Sequence, residues 1–172
     1  CVFCKFLSAN DTGDTGGHQV GIYIPNNILL GMFRVLPVRG KNIKEPVRIH
    51  WQDGYETDSR VTYYGVAKNE SRITCFGRNF PFLSPDYTGA LFILVKNHKS
   101  QFFGFILNTD DEINNFLNSF GITPASVGQL IKGSRGKLDK SAITEINAFI
   151  ERMNGEFPNS KTMSLEARKI QD

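Results

Sequence analysis

Ser8-Ala-Asn-Asp-Thr-Gly-Asp-Thr-Gly-Gly-His-Gln-Val-Gly-Ile-Tyr-Ile-Pro25 joins two kinds of sequence within eighteen residues. Its first part carries seven hydrogen-bonding side chains in ten positions: Asn10, Asp11, Thr12, Asp14, Thr15, His18 and Gln19. Gly13, Gly16 and Gly17 free the backbone between them for left-handed conformations or close approach to another surface. The second part, Gln19 to Ile24, predicts a strand that stops at Pro25. A polar, glycine-jointed arm on a strand suits reading the edges of a ligand. Burial would demand a partner for each of those polar groups.

Outward from this arm, period-two runs continue through the first two-thirds of the chain. Val2 to Leu7, Gln19 to Ile24, Val47 to Trp51, Ser59 to Tyr64, Arg72 to Phe76, Ala90 to Lys96 and Gln101 to Ile106 all predict strands. Asn97-His98-Lys99-Ser100 predicts the loop of a hairpin, and Asn26 to Phe33 a short helix that would plug one mouth of a barrel. Seven such strands suggest a barrel or a sandwich. After Leu107 the period lengthens. Thr109-Asp110-Asp111-Glu112 is a helix start with a capping box, running to about Phe120 and Gly121. Thr123-Pro124 opens a second helix ending near Lys132, and Lys140 to Asn154 a third. The third places Ile143, Ile146, Phe149, Ile150 and Met153 on one face, which suits packing against the barrel. The fold class is mainly β with helices (α+β).

A second polar segment lies at Lys68 to Gly89. Lys68, Asn69, Glu70, Ser71 and Arg72 are consecutive, and Arg78 and Asn79 follow Gly77. These types cover the major-groove code: Arg and Lys donate to guanine, Asn pairs with adenine and Glu accepts from cytosine. An acid in a basic stretch weakens phosphate binding, so Glu70 suits base reading or the orienting of an arginine. Taken singly, each segment is equally a solvated surface loop.

The global numbers permit this reading without requiring it. The 172 residues are 40% apolar and 12% aromatic, which excludes a disordered chain. Net charge is only +3, so affinity for nucleic acid must come from local patches. Arg34, Arg39, Lys41, Lys44 and Arg48 form one, and Lys132 to Lys140 reads as well as a solvated loop. Three cysteines, Cys1, Cys4 and Cys75, make no disulfide framework. Cys1-x-x-Cys4 lacks the second pair that a zinc site needs and fits the inner face of the first strand with one incidental thiol. With an odd thiol count, no signal peptide and no membrane-spanning run, a reducing, intracellular setting is expected. The chain begins without methionine and reads as a piece of a longer protein.

The two polar segments together resemble the DNA-recognition domain of EcoRII-type type II restriction endonucleases, including related readers such as those of NgoAVII and UbaLAI. The first arm is similar in near-continuous identity from Leu7 through Pro25. The second carries Asn69-Glu70-x-Arg72-Ile73-Thr74-x-x-Gly77-Arg78 and then Pro85-x-x-Thr88-Gly89-Ala90-Leu91. The resemblance implies a seven-stranded pseudobarrel, shared with plant B-three transcription factors, whose two arms grip the major groove of a short duplex site. It places His18, Tyr23, Lys68, Glu70 and Arg72 on DNA-contacting positions, while a family lysine two residues before Lys68 is Val66 here. Related domains read CC(A/T)GG-like or GC(C/G)GC-like sites.

The expected DNA-binding set is therefore Asn10, Asp11, Thr15, His18, Gln19, Tyr23, Lys68, Asn69, Glu70, Arg72, Arg78 and Asn79. Residues 1–158 are expected to form the pseudobarrel with its C-terminal helices. Residues 159–172 would then form a linker or tail toward a missing domain. Catalysis within the chain is not expected. Asp110, Asp111 and Glu112 belong to a helix start, and Glu166-Ala-Arg-Lys169 has the wrong spacing for a nuclease metal site. His18, His50 and His98 fall in an arm, a strand and a turn. No cofactor is expected for the domain; magnesium belongs to a fused or associated nuclease domain, if to any part of the parent enzyme. The alternatives are a stand-alone DNA-binding regulator of the same fold, or a small hydrolase using Asp11, Asp14 and His18.

Overall fold

Leu91-Phe-Ile-Leu-Val95 is apolar at every position because this strand is covered on both faces. Phe92 and Leu94 point into one core, and Leu91, Ile93 and Val95 into another. The computed structural model describes residues 1–16 and 21–131. They form β1 (Val2–Phe6), α1 (Ala9–Thr12), β2 (Ile22–Ile24), α2 (Asn26–Phe33), β3 (Asn42–Trp51), β4 (Glu56–Tyr64) and β5 (Glu70–Thr74). After these come β6 (Leu91–Lys96), β7 (Phe102–Leu107), α3 (Asp110–Ser119) and β8 (Leu130–Ile131).

All eight strands join one sheet in the order β2-β5-β4-β3-β7-β6-β1-β8. Every pairing is antiparallel except β3 with β7, which is parallel and spans only Ile49 to Trp51. Beyond that point Gln52 substitutes for strand pairing. Its Nε2 donates to the Ile106 carbonyl at 3.0 Å, and the Ile106 amide donates to its Oε1 at 2.6 Å. Among the described residues the N-terminal part of β3 has no strand partner on its β7 side, and Pro46 lies there, where the missing N–H costs no ladder bond.

The sheet curls until its two ends approach α2. Asn26 Oδ1 accepts from Ser71 Oγ on β5 at 3.2 Å, and Gly31 lies so close to Leu130 on β8 that a Cβ would collide with it. Ile28, Leu29 and Met32 of α2 enter the interior, the plugging role expected of this helix. The second core lies outside the barrel, where Ile113 and Phe116 of α3 cover β6, β7 and β1. Thr109 caps α3 through a full capping box with Glu112, as the sequence predicts.

Four expectations change. The described residues form eight strands rather than seven. The segment after Thr123-Pro124 makes only a 3-10 turn, Pro124–Ser126, and then pairs with β1 as β8 instead of continuing as a helix. Cys4 faces the α3-covered core and not the barrel interior, because Phe3 takes the inward position. The polar first arm contains a helical turn, α1, and is partly buried. The predicted helix over 140–154, the Lys132 to Lys140 run, the tail after Phe157-Pro158 and the 158/159 boundary lie outside the described residues. No helix among the described residues is long and apolar enough to cross a membrane.

Candidate nucleic-acid interface

Ser8 begins the first arm as the N-cap of α1, accepting from the Asp11 amide at 3.3 Å. Gly13 ends that turn with φ 80°, a conformation that favours glycine. Asp11, expected among the contacting residues, is instead fully buried. Its Oδ2 accepts from Lys5 Nζ at 2.6 Å, the Ser8 amide at 2.8 Å and Ser8 Oγ at 2.7 Å. Its Oδ1 accepts from the Tyr23 amide at 2.7 Å. Burial alone would raise the pKa, but the Lys5 ammonium and the Tyr23 and Ser8 donors outweigh it and hold the carboxyl below the usual carboxylate range. A carboxylate so occupied is withdrawn from acid–base work, which removes the basis of the Asp11/Asp14/His18 hydrolase. Asp14, Thr15 and Asn10 are exposed. His18 and Gln19 lie outside the described residues.

The returning strand brings Tyr23 beside Arg72, and Arg72 beside Thr62, and Thr62 beside Lys44. This row runs across the outer face of β2, β5, β4 and β3, with Glu70, Tyr64 and Asn42 along one side and Thr74 and Arg60 along the other. Tyr23 keeps 39% exposure, with Lys5 Nζ 5.5 Å from its ring centroid. Arg72, expected to contact guanine, is largely buried. Its Nη1 donates to the Gly21 carbonyl at 2.9 Å, and its Nε donates to Glu70 Oε1 at 3.2 Å. Glu70 thus orients an arginine, one of the two roles its sequence context suggested. Lys44 and Arg60 are exposed, and among the described residues neither pairs with a carboxylate.

The second polar segment divides at β5. Before the strand, the turn after Gly65 presents Val66 and Lys68, both exposed, and holds Asn69 at φ 52°. Asparagine tolerates that conformation. Its Oδ1 accepts from the Tyr63 hydroxyl at 2.5 Å, so its side chain is partly committed to the turn. Beyond the strand, Arg78 and Asn79 stand exposed after Gly77, whose φ is 87°. That loop is anchored by aromatics: Phe80 packs on Trp51 at 4.6 Å and on Phe76 at 5.1 Å, and Phe82 on Phe80 and Tyr87.

Since β2 is antiparallel to β5, the first arm leaves the sheet at the Thr74 end, the end from which the Arg78 loop also departs. Thr12 Oγ1 and Thr88 Oγ1 share a hydrogen bond of 2.7 Å, and Leu7 exchanges backbone bonds with Gly89 and Ala90. The first arm and the Arg78 loop are therefore one wall. The Lys68 turn is the other, and the row containing Arg72 is the floor between them. Lys5, Ser8, Thr12 and Thr88 build this arrangement, and none of them is in the expected DNA-binding set. Ser8 with Asp11 three residues on is the one local signal for it, a capping pattern.

No group of three or more His, Cys, Asp or Glu among the described residues could hold a metal ion. Cys1 is exposed and Cys4 buried, and burial pushes the Cys4 thiol up to about 12.

Fold and face together define a mainly β domain with one walled, cation-bearing sheet surface. Residues 1–131 match the family described as the N-terminal part of the restriction endonuclease EcoRII, and the chain belongs to that family. Over 102 residues it is 40% identical to the type II restriction enzyme EcoRII of Escherichia coli, a match covering 55% of this chain and 25% of that enzyme. The chain thus spans about a quarter of the length of that relative. Among solved structures it is similar to the B3 domain of the UbaLAI restriction endonuclease, crystallised with cognate DNA. That similarity covers 78% of this chain and 82% of the other, at a TM-score of 0.49 and 19% identity.

Proposed function

We propose that this domain recognises a short double-stranded DNA site through the major groove, as the reading domain of a type II restriction endonuclease. The observation that carries the proposal is the walled face itself, in a chain of the EcoRII N-terminal family. Arg78 and Lys68 stand on opposite walls, and Lys44 and Arg60 lie exposed on the sheet between them. A duplex seated there meets base-reading donors at both ends of the floor and phosphate-binding cations along it.

Within this reading, Arg78, Asn79, Lys68, Asn10 and Thr15 contact bases or phosphates from the walls. The Asn69 amide, Tyr23, His18 and Gln19 join them. Arg72 is fixed in orientation by Glu70 and Gly21 and keeps Nη2 for the ligand. Asp11 positions the arm and makes no contact. Strand cleavage, and any magnesium it uses, is assigned to a nuclease domain of the parent enzyme and not to these residues.

The test is selection from a randomised duplex library in EDTA at moderate salt, followed by sequencing of the bound fraction. Enrichment of a motif of about four to six base pairs is expected. Salt-sensitive binding without any enriched motif would sink the proposal.

A further inference from the structure

The first arm is closed at its base by one carboxylate. The donors to Asp11 come from three pieces of backbone: Lys5 on the strand entering the arm, Ser8 at its first turn and Tyr23 on the returning strand. Among the described residues the main chain alone joins the two sides by the Gly21 amide to the Asp11 carbonyl, at 3.3 Å. From the structure we infer that Asp11 is the positioning residue of the first arm, fixing the neck through which the arm reaches the reading face.

This inference rests on the DNA-reading function proposed above. An arm ordered before binding does not spend binding energy on its own ordering, so the neck should act on affinity for the correct site. A carboxylate suits the task where an amide does not. Four donors converge on Asp11, one of them an ammonium, and an asparagine would turn an NH2 donor toward at least one of them. Asp11→Asn therefore keeps the volume while breaking the neck.

The experiment compares the wild-type chain, Asp11→Asn and Ser8→Ala on the selected duplex and on a random one, with amide hydrogen exchange on each. For Asp11→Asn, cognate affinity should fall about tenfold or more while random binding and its salt slope stay unchanged, since no phosphate contact is lost. The Tyr23 amide should exchange faster and the Ile93 amide, in the doubly covered strand, should not. Ser8→Ala should move in the same direction by less, and it decides the matter should Asp11→Asn fail to fold. Folded variants that discriminate as the wild type does would overturn the inference. So would cognate and random binding falling alike. If the wild type itself does not discriminate, the DNA-reading proposal fails, while Tyr23 exchange still reports whether Asp11 holds the neck.

Discussion

Arg72 Nη1 donates to the Gly21 carbonyl at 2.9 Å, so an arginine in the middle of the floor grips the backbone by which the first arm returns to the sheet. The same guanidinium is held from the other side by Glu70. Arg72 thus holds the returning backbone whatever else it contacts, and its replacement must show in stability. Arg72→Ala leaves a buried carbonyl without its donor and is expected to cost about 1–3 kcal/mol in denaturant unfolding. Arg72→Lys restores one donor of the two and should fall between. An unchanged unfolding midpoint for the alanine variant would show that the arm stays in place without this bond.

Arg78 offers the opposite case. It is exposed, and its loop is anchored by Phe80 and Phe82 rather than by its own side chain. Arg78→Ala should leave stability within about 0.5 kcal/mol. Binding to the cognate duplex should weaken by about 1–3 kcal/mol with relaxed discrimination, as expected of a guanine contact. Equal weakening on random DNA would reassign Arg78 to phosphate.

Lys44 and Arg60 are tested by salt. Each change to alanine should weaken cognate and random duplexes alike and reduce the slope of log affinity against log salt by about 0.9. A slope that does not move would take that residue off the DNA path.

The buried carboxylate sets an acid limit. The Asp11 pKa is lowered in the folded chain, so its contribution is fully present above the unfolded carboxylate value, about 4, and is lost as pH falls through the lower folded value. Acid unfolding of the wild type should therefore steepen below about pH 4. Asp11→Asn should start less stable at neutral pH and show a shallower decline across the same window. Parallel curves for the two chains would mean that Asp11 is not the group titrating.

Thiol chemistry tests the division into two cores. The nucleophile is the thiolate, and the Cys4 thiol, pushed up to about 12, stays protonated at pH 8 behind α3. An aromatic disulfide reagent should label Cys1 and Cys75, both exposed, and reach Cys4 only on unfolding. Rapid labelling of all three in the native chain would contradict the packing of α3 on β1.

What the sequence made legible follows from range. All seven predicted strands are found at least in part, since a strand's run of alternating or, in β6, continuous apolar residues is a local record of which faces are covered. β2 is described from Ile22, and β3 begins earlier than expected, at Asn42. The cap at Thr109 and the helix over Asn26–Phe33 are equally local, and both are found. β8 was missed because two residues are too few to alternate, and only pairing with β1 makes them a strand. Asp11 was misjudged because its burial depends on an ammonium six residues upstream and an amide twelve residues downstream. Among the expected contacts, Lys68, Arg78, Asn79, Asn10 and Thr15 are exposed, whereas Arg72 is engaged in bonds that no spacing reveals.

β6, sealed on both faces, has a consequence for how such domains diverge. Its residues and their partners fill both cores while contributing nothing to either wall. The exposed residues at 14–16, 66–68 and 78–79 are members of neither core cluster. Retargeting is then a problem of surface substitution on a fixed chassis. The residues to leave alone in any redesign of the proposed reading face are Lys5, Ser8, Asp11 and Thr88, whose bonds hold the first arm in place.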